Sequence, residues 1–304
     1  MSLQFIIGSS GIGKTHYACE QIIRESMENP QHLYYIIVPE QFTMQTQKNV
    51  VEMHPGKGIL NIDVLSFQRL AYRIFEETGG AREVLLDDTG KSMVLQKLVQ
   101  QHRKNLPYLG SQMNKPGYLD EVKSLISEFM QYDIREEELQ DMLGKTGEDS
   151  LLHMKMQDVG VLYQAFLQYL EGHYMTGEGV MDALKKAIPF SDKLKKSVLL
   201  LDGFTGFTPV QMNVIRELLN VCDKVLVTVT MDAGENPLQL GKPHQLFYMS
   251  RKMIHTLSGL TSNLDDPVLL KDERKGRFGN STSLDFIENH LFRNRISAYE
   301  KKQE

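Results

Sequence analysis

Eight residues near the start of the chain, Gly8-Ser-Ser-Gly-Ile-Gly-Lys-Thr15, constrain the fold more than any other segment. They lie between a β-prone run, Leu3–Ile7, and a stretch from His16 to Met27 whose apolar residues recur at spacings of three and four, as in a helix. A chain that turns from strand to helix in so few residues needs glycine in the turn, and here there are three. Every specified position of G-x-x-x-x-G-K-[ST] is met, in the strand-then-helix context that the pattern requires. Average residue usage produces such a match by chance in roughly one in a hundred chains of this length. In this curl successive backbone N–H groups point at one centre, and the helix N-terminus adds its partial positive charge, so a phosphate group fits there. Gly8, Ser9, Ser10, Gly11, Ile12, Gly13, Lys14 and Thr15 are therefore the candidate ATP-binding residues. Lys14 would reach the β- and γ-phosphates, and the Thr15 hydroxyl would ligate Mg²⁺.

Strand and helix patterns go on alternating. Leu33–Val38 and Ile59–Leu65 read as strands, each followed by a helical pattern, Thr43–Glu52 and Phe67–Glu77. That alternation predicts an α/β fold with a parallel sheet covered by helices. From 88 to 189 the pattern becomes purely helical, with long segments at Lys91–Gln101, Leu119–Tyr132 and Leu151–Tyr174 and no strand. Lys196–Asp202 and Lys224–Thr230 then resume as strands around a helix at Pro209–Asn220. The predicted organisation is one phosphate-loop domain from 1–87 and 190–304, interrupted by a helical insertion at 88–189. Near the end, Lys271–Arg277 reads as a solvated loop and Leu284–Arg295 as a helix.

A Mg²⁺ partner is expected at the end of a buried neighbouring strand, and Leu199-Leu-Leu-Asp202 supplies Asp202. The next position, where a hydrolase places Glu to polarise the attacking water, is Gly203, so general-base help is missing and no catalytic residue is assigned. Two shorter look-alikes, Thr89-Gly-Lys-Ser92 and Leu143-Gly-Lys-Thr146, lack the leading glycine, having Leu85 and Leu139 there, and follow no strand. Both are assigned to helix boundaries.

Charge and cysteine content exclude several classes of protein. Lys and Arg against Asp and Glu number 7 to 10 in 1–87, 11 to 15 in 88–188 and 16 to 14 in 189–304, so no segment is a polycation that could carpet duplex DNA. A narrow channel with a few placed Arg and aromatic residues for single strands stays open. The two cysteines, Cys19 and Cys222, are too few for an iron–sulfur cluster or tetrahedral zinc and read as buried hydrophobes. With no apolar run near 20 residues and no basic leader, no membrane span and a cytoplasmic location are expected.

Four segments carry a resemblance. The phosphate loop, Val38-Pro-Glu-Gln-Phe-Thr43, Val64-Leu-Ser-Phe-Gln-Arg-Leu-Ala-Tyr-Arg73 with Thr78-Gly-Gly80, and Asp202-Gly-Phe-Thr-Gly-Phe-Thr-Pro209 together resemble the AddB family. These are the B subunits of bacterial AddAB ATP-dependent helicase–deoxyribonucleases, which process double-strand breaks for recombination. The resemblance implies a P-loop NTPase domain of the RecA-like, superfamily-one helicase type, with the insertion in the place of a 1B domain. It implies a degenerate motor that binds ATP and Mg²⁺ with weak hydrolysis, a partner A subunit that translocates, and broken double-stranded and single-stranded DNA as ligands. It further implies that this chain is an N-terminal part, without the family's nuclease and iron–sulfur cluster and hence without nuclease activity. Carried over by position, the residues that scan single-stranded DNA for the Chi sequence are Gln41, Thr43, Phe67, Arg69, Tyr72 and Phe204. Tyr72 stands where relatives can have Trp, and Gln131 where a relative can have Arg, which bears on the sequence recognised. Phe67 and Tyr72 fit equally well as the core face of their helix. Two other classes compete: a small-molecule phosphotransferase with the insertion as its lid, and a structural module with a vestigial loop. Such a lid would need to be rich in arginine, and the insertion has only Arg103 and Arg135.

Overall fold

The structure is a computed structural model that describes residues 2–80, 83–113, 115, 117–147, 150–232, 234–271, 277–278, 281–293 and 298–299. It divides into two compact units, Met1–Leu70 with Ile188–Phe207 and Ile215–Glu304, and Ala71–Ala187 with Thr208–Val214. The sequence pattern predicts boundaries at 87/88 and 189/190; the units part at 70/71, within the helix Phe67–Thr78, and at 187/188, with Thr208–Val214 also counted to the second unit. A helix that runs through a boundary carries one unbroken periodicity, so the pattern holds no mark of it.

In chain order the elements are β1 (Ser2–Gly8), α1 (Lys14–Glu28), β2 (Leu33–Ile37), α2 (Thr43–Met53), β3 (Ile62–Leu65), α3 (Phe67–Thr78) and β4 (Val84–Leu85). There follow α4 (Asp88–His102), α5 (Leu109–Gln112), α6 (Tyr118–Gln131), α7 (Glu136–Gly144), α8 (Leu151–Leu170), β5 (Tyr174–Met175) and α9 (Gly177–Ala187). The chain continues through β6 (Ser197–Leu201), α10 (Pro209–Val221), β7 (Lys224–Thr230), α11 (Tyr248–Ser258), β8 (Val268–Leu269) and α12 (Thr282–His290).

The first unit is built on a six-stranded sheet in the order β3-β2-β6-β7-β1-β8, and every pairing in it is parallel. All five residues of β6, Ser-Val-Leu-Leu-Leu, are buried, as befits a strand covered on both faces. Each of its leucines contributes about 1.5–3 kcal/mol by leaving water. One face of the sheet packs with α1 and α2 around Ile6, Ile22, Tyr34, Ile36, Val50 and Leu200. Because the strands run the same way, their C-terminal ends, Gly8, Ile37, Leu65, Leu201 and Thr230, share one edge. That edge is where such sheets bind ligands.

The second unit packs α4, α6 and α8 around Leu95, Leu98, Ile126, Phe129, Leu162 and Phe166. Asp158 of α8, fully buried, accepts the backbone N–H groups of Tyr108 and Leu109 at 2.9 and 2.6 Å and so caps α5. Both look-alike motifs lie at helix ends. Asp87 caps α4 by accepting the Gly90 N–H at 2.7 Å, and Gly144-Lys145 closes α7, with the Thr146 hydroxyl on the Leu143 carbonyl.

Several elements differ from the sequence pattern, which marks neither α11 nor β8 and expects a helix at Leu284–Arg295 where α12 runs Thr282–His290. The helical segment does contain a strand, since β5 pairs with β4; each is two residues long, too short to show a period. The strand expected at 59–65 starts only at Ile62, because the Asn61 amide is turned to the Ser26 and His32 carbonyls and Leu60 is fully exposed. Helix α8 stops at Leu170 rather than Tyr174, where Gly172 takes a positive φ of 75°. Among the described residues no helix is long and apolar enough to cross a membrane.

Candidate nucleotide site and its surroundings

The phosphate loop leaves β1 at Gly8, where a β-carbon would meet the Ile12 side chain at 2.8 Å. It enters α1 through Gly13, whose φ of 100° is open to glycine but strained for other residues. Gly13 has no side chain to cap the helix, so the first-turn amides of α1 are left for a ligand. Lys14 Nζ donates to the Ser9 carbonyl at 2.8 Å, folding the side chain back over the loop. Burial lowers the Lys14 pKa, while Asp202 and then Glu288 act to raise it.

Asp202, just beyond β6, is only 5% exposed. The Thr15 hydroxyl lies 3.0 Å from each of its carboxylate oxygens, the Thr228 hydroxyl donates to Oδ1 at 2.6 Å, and the Asp202 N–H donates to the Ile37 carbonyl at 3.0 Å. Two oxygen ligands side by side on an octahedral Mg²⁺ at about 2.1 Å stand roughly 3.0 Å apart, so the Thr15–Asp202 pair fits that ion. Gly203 follows with φ of 80° and an exposed backbone, in the position where a water-activating carboxylate would stand.

A cavity of about 590 Å³ opens beside the loop. Gly11, Gly13, Lys14 and Thr15 line it, together with Asn49 of α2 and Arg277. Neither of the last two, nor Thr228, is among the residues that the sequence pattern assigns to the site. Thr228 is legible as an inward residue of β7, but Arg277 comes from a segment that reads as solvated; 272–276 of that segment lie outside the described residues. Cys19, also in the cavity wall, and Cys222 are both buried free thiols, and burial pushes each to about 12. They are the small buried hydrophobes that the sequence suggests.

Five of the six candidate DNA-contacting residues belong to the first unit and follow β2, β3 and β6 at the edge that carries the phosphate loop. Gln41 is exposed. Arg69 is exposed and ion-paired with Glu40 at 3.2 Å. Phe204 is half-buried, its ring 5.6 Å from Phe67 and 4.9 Å from Phe207. Two are turned inward: Thr43 bonds the Glu40 carbonyl at 3.0 Å, and Phe67 is 5% exposed, which is the core role its helix also allows. Tyr72 falls in the second unit, partly exposed, its ring edge-on to Phe75 at 6.2 Å.

Comparison with known proteins bears on these same segments. A model of the N-terminal region of AddB matches residues 5–288. The B subunit of an ATP-dependent helicase/deoxyribonuclease from Lachnoclostridium phytofermentans is 42% identical over 100% of this chain, which spans 27% of that protein. Proteins of the same description from Desulforamulus reducens and Caldanaerobacter subterraneus are 31% and 30% identical, over 100% and 99% of the chain and 27% and 26% of their own length. The loop, the strand ends and the segments that follow them are thus those of one family, and the chain belongs to the AddB family, to whose N-terminal region it corresponds.

Proposed function

We propose that this chain binds ATP–Mg²⁺ at Gly8–Thr15 and Asp202, turns it over slowly, and presents the neighbouring strand ends to single-stranded DNA. In this reading it is the N-terminal, Chi-scanning part of the B component of a helicase/deoxyribonuclease, working in break repair alongside an AddA-type partner in the cytoplasm. The fold would be that of a P-loop NTPase of the RecA-like, superfamily-one type. One observation carries the nucleotide assignment: the loop lysine, the Thr15 hydroxyl and the buried Asp202 carboxylate meet at the C-terminal edge of a parallel sheet.

Each group has a separate task. The loop amides and Lys14 would hold the phosphates; Thr15 and Asp202 would hold the ion, which when bound neutralises phosphate charge. Thr228 fixes the carboxylate that the ion needs. Nothing at 203 can take a proton from water, and the backbone there has the wrong conformation for a carboxylate-bearing residue. For DNA, Phe204 offers a ring to stack on a base, and Arg69 offers a guanidinium whose present ion pair is exposed and cheap to exchange.

Calorimetry tests this with the 304-residue chain, ATP–Mg²⁺ and a single-stranded oligonucleotide. Wild type should bind ATP, Lys14→Ala should lose that binding, and steady-state hydrolysis should stay slow with DNA present. Absence of nucleotide binding by the folded wild type, or rapid DNA-stimulated hydrolysis, would overturn the reading.

A further inference from the structure

The edge of the sheet opposite the phosphate loop combines exposed apolar side chains with lysines. There the N-terminal ends of β3, β2 and β6 stand side by side, with Ile62 beside Tyr34 and Ser197 beside Leu33. The chain enters these strands through 54–61, 29–32 and 188–196, all in the first unit. The first of these turns is tied down. Lys57 has φ of 50° and gives its N–H to the His54 carbonyl at 2.9 Å and its Nζ to the Glu52 carbonyl at 2.6 Å. The Asn61 amide spans the Ser26 and His32 carbonyls, at 3.1 Å each. Leu60, held between these anchors, is fully exposed, and Phe190, shortly before β6, is 75% exposed.

An apolar side chain that an anchored turn keeps in water is already ordered before a partner arrives, so covering it adds to affinity at little further entropic cost. The charge around it is one-sided. The three turns hold Lys57, Lys193, Lys195 and Lys196 against one carboxylate, Asp192, and Glu28 ends α1 just before the second turn. Asp192 pairs with Lys195 at 2.7 Å, where both side chains are exposed, and such a pair is cheap to exchange. Lysines set around an exposed leucine and phenylalanine complement a ligand that is acidic and apolar at once. Duplex DNA would answer the lysines through its phosphates but would leave Leu60 without a use. We propose that this edge is a docking surface for an acidic peptide segment of a protein partner, one that carries apolar residues among its carboxylates. It lies across the sheet from the nucleotide site, and the proposal does not depend on nucleotide binding.

Fluorescence anisotropy with the 304-residue chain tests this, with three labelled probes: a peptide of alternating aspartate and leucine, one of alternating aspartate and glycine, and a DNA duplex. The aspartate–leucine peptide should bind saturably and more weakly as salt is added. Leu60→Ser should weaken it about 10-fold, the worth of a partly covered leucine, and the aspartate–glycine peptide should bind wild type more weakly by a similar factor. Lys195→Glu combined with Lys196→Glu should also weaken the aspartate–leucine peptide about 10-fold. All three positions are exposed, so these variants should keep the wild-type urea midpoint. If the aspartate–leucine peptide does not bind saturably, or if Leu60→Ser leaves its affinity unchanged, the proposal fails. If the duplex binds more tightly than the peptide and loses affinity on the lysine reversals, the edge is a DNA surface and the proposal fails as well.

Discussion

Lys91, the lysine of the first look-alike motif, should be a stability residue with no part in nucleotide binding, and the structure sets the size of the effect. Its side chain is 7% exposed and its Nζ lies 3.0 and 3.1 Å from the two carboxylate oxygens of Glu178, whose side chain is 10% exposed; Ser127 accepts a further bond at 3.2 Å. Lys91→Met keeps the aliphatic stem but leaves Glu178 buried without its cation. Removing one partner of a buried pair costs about 3–5 kcal/mol. Glu178 would retain its backbone hydrogen bond and that of the Thr176 hydroxyl, so the lower end, about 3 kcal/mol, is expected. The pH dependence has a definite sign. Burial acts to raise the Glu178 pKa, but the backbone hydrogen bond and Lys91 outweigh it, and the net direction is down. The pair therefore contributes fully above the ordinary carboxylate value and loses its contribution as pH falls through the lowered one. Without Lys91 the carboxyl can protonate at higher pH, so the gap between variant and wild type should be widest near pH ~7.5 and narrow toward pH ~4. Urea denaturation followed by far-UV circular dichroism, with hydrogen exchange of α4 and α9 amides to localise the loss, measures both. Glu178→Gln added to Lys91→Met should recover more than half of the loss. A loss below about 1 kcal/mol, a gap independent of pH, or weaker ATP binding by the folded variant would refute the reasoning.

Other consequences can be checked as directly. Gly203→Glu places an L-residue at a φ of 80° and should cost about 1–2 kcal/mol in urea titrations without speeding ATP hydrolysis; a tenfold gain in rate would contradict it. Arg69→Ala and Phe204→Ala should each weaken single-strand binding by about 1–3 kcal/mol in fluorescence anisotropy. Glu40→Gln, which frees Arg69, should strengthen it, and a change of opposite sign would remove Arg69 from the interface. Cys19 and Cys222, each pushed up to about 12 by burial, should resist a thiol reagent at pH ~8 until urea is added; rapid labelling of the folded chain would show the burial to be wrong. Because burial lowers the Lys14 pKa, ATP affinity should be intact below that value and begin to fall at a pH below 10.5, with Lys14→Arg flat over the same range.

What the sequence makes legible is whatever repeats or is chemically specific. The alternation in β2, β6 and β7 and the fixed spacing of Gly8, Gly13, Lys14 and Thr15 are local, so they can be read in a window of about ten residues. Asp202 is legible because it ends a fully apolar run. The pairing of β4 with β5 joins residues 90 positions apart through two-residue strands and leaves no local trace. The Lys91–Glu178 pair has the same character, spanning 87 positions, and so does the return of Arg277 to Gly11. Thr43 shows another limit, since a polar residue after a strand reads as available for a ligand until its hydroxyl is found bonded three residues back.

The same edge also gives a reason for ATP and DNA to affect one another. Asp202, the ion-holding residue in this reading, and Phe204, the stacking one, are separated by Gly203 alone. Asp202 is held from four directions in all, by Thr15, Thr228, the Ile37 carbonyl and its own strand, so an ion drawing on its carboxylate pulls against a rigid frame. Phe204 is held more loosely, by the rings of Phe67 and Phe207. In the proposed reading, a shift at Asp202 on ion binding would pass to Phe204 through a glycine whose φ of 80° marks a turn. Pro39 lies against that glycine, with 3.6 Å between its Cδ and the place of a Gly203 β-carbon, and it leads directly into Glu40 and Gln41. Linkage makes such a coupling reciprocal: whatever factor ATP–Mg²⁺ applies to DNA affinity, DNA must apply to the affinity for ATP–Mg²⁺. In the proposed reading, a site that binds nucleotide without spending it would then have a physical use, because occupancy at Lys14 and Asp202 would bear on the neighbouring residues proposed to meet the strand.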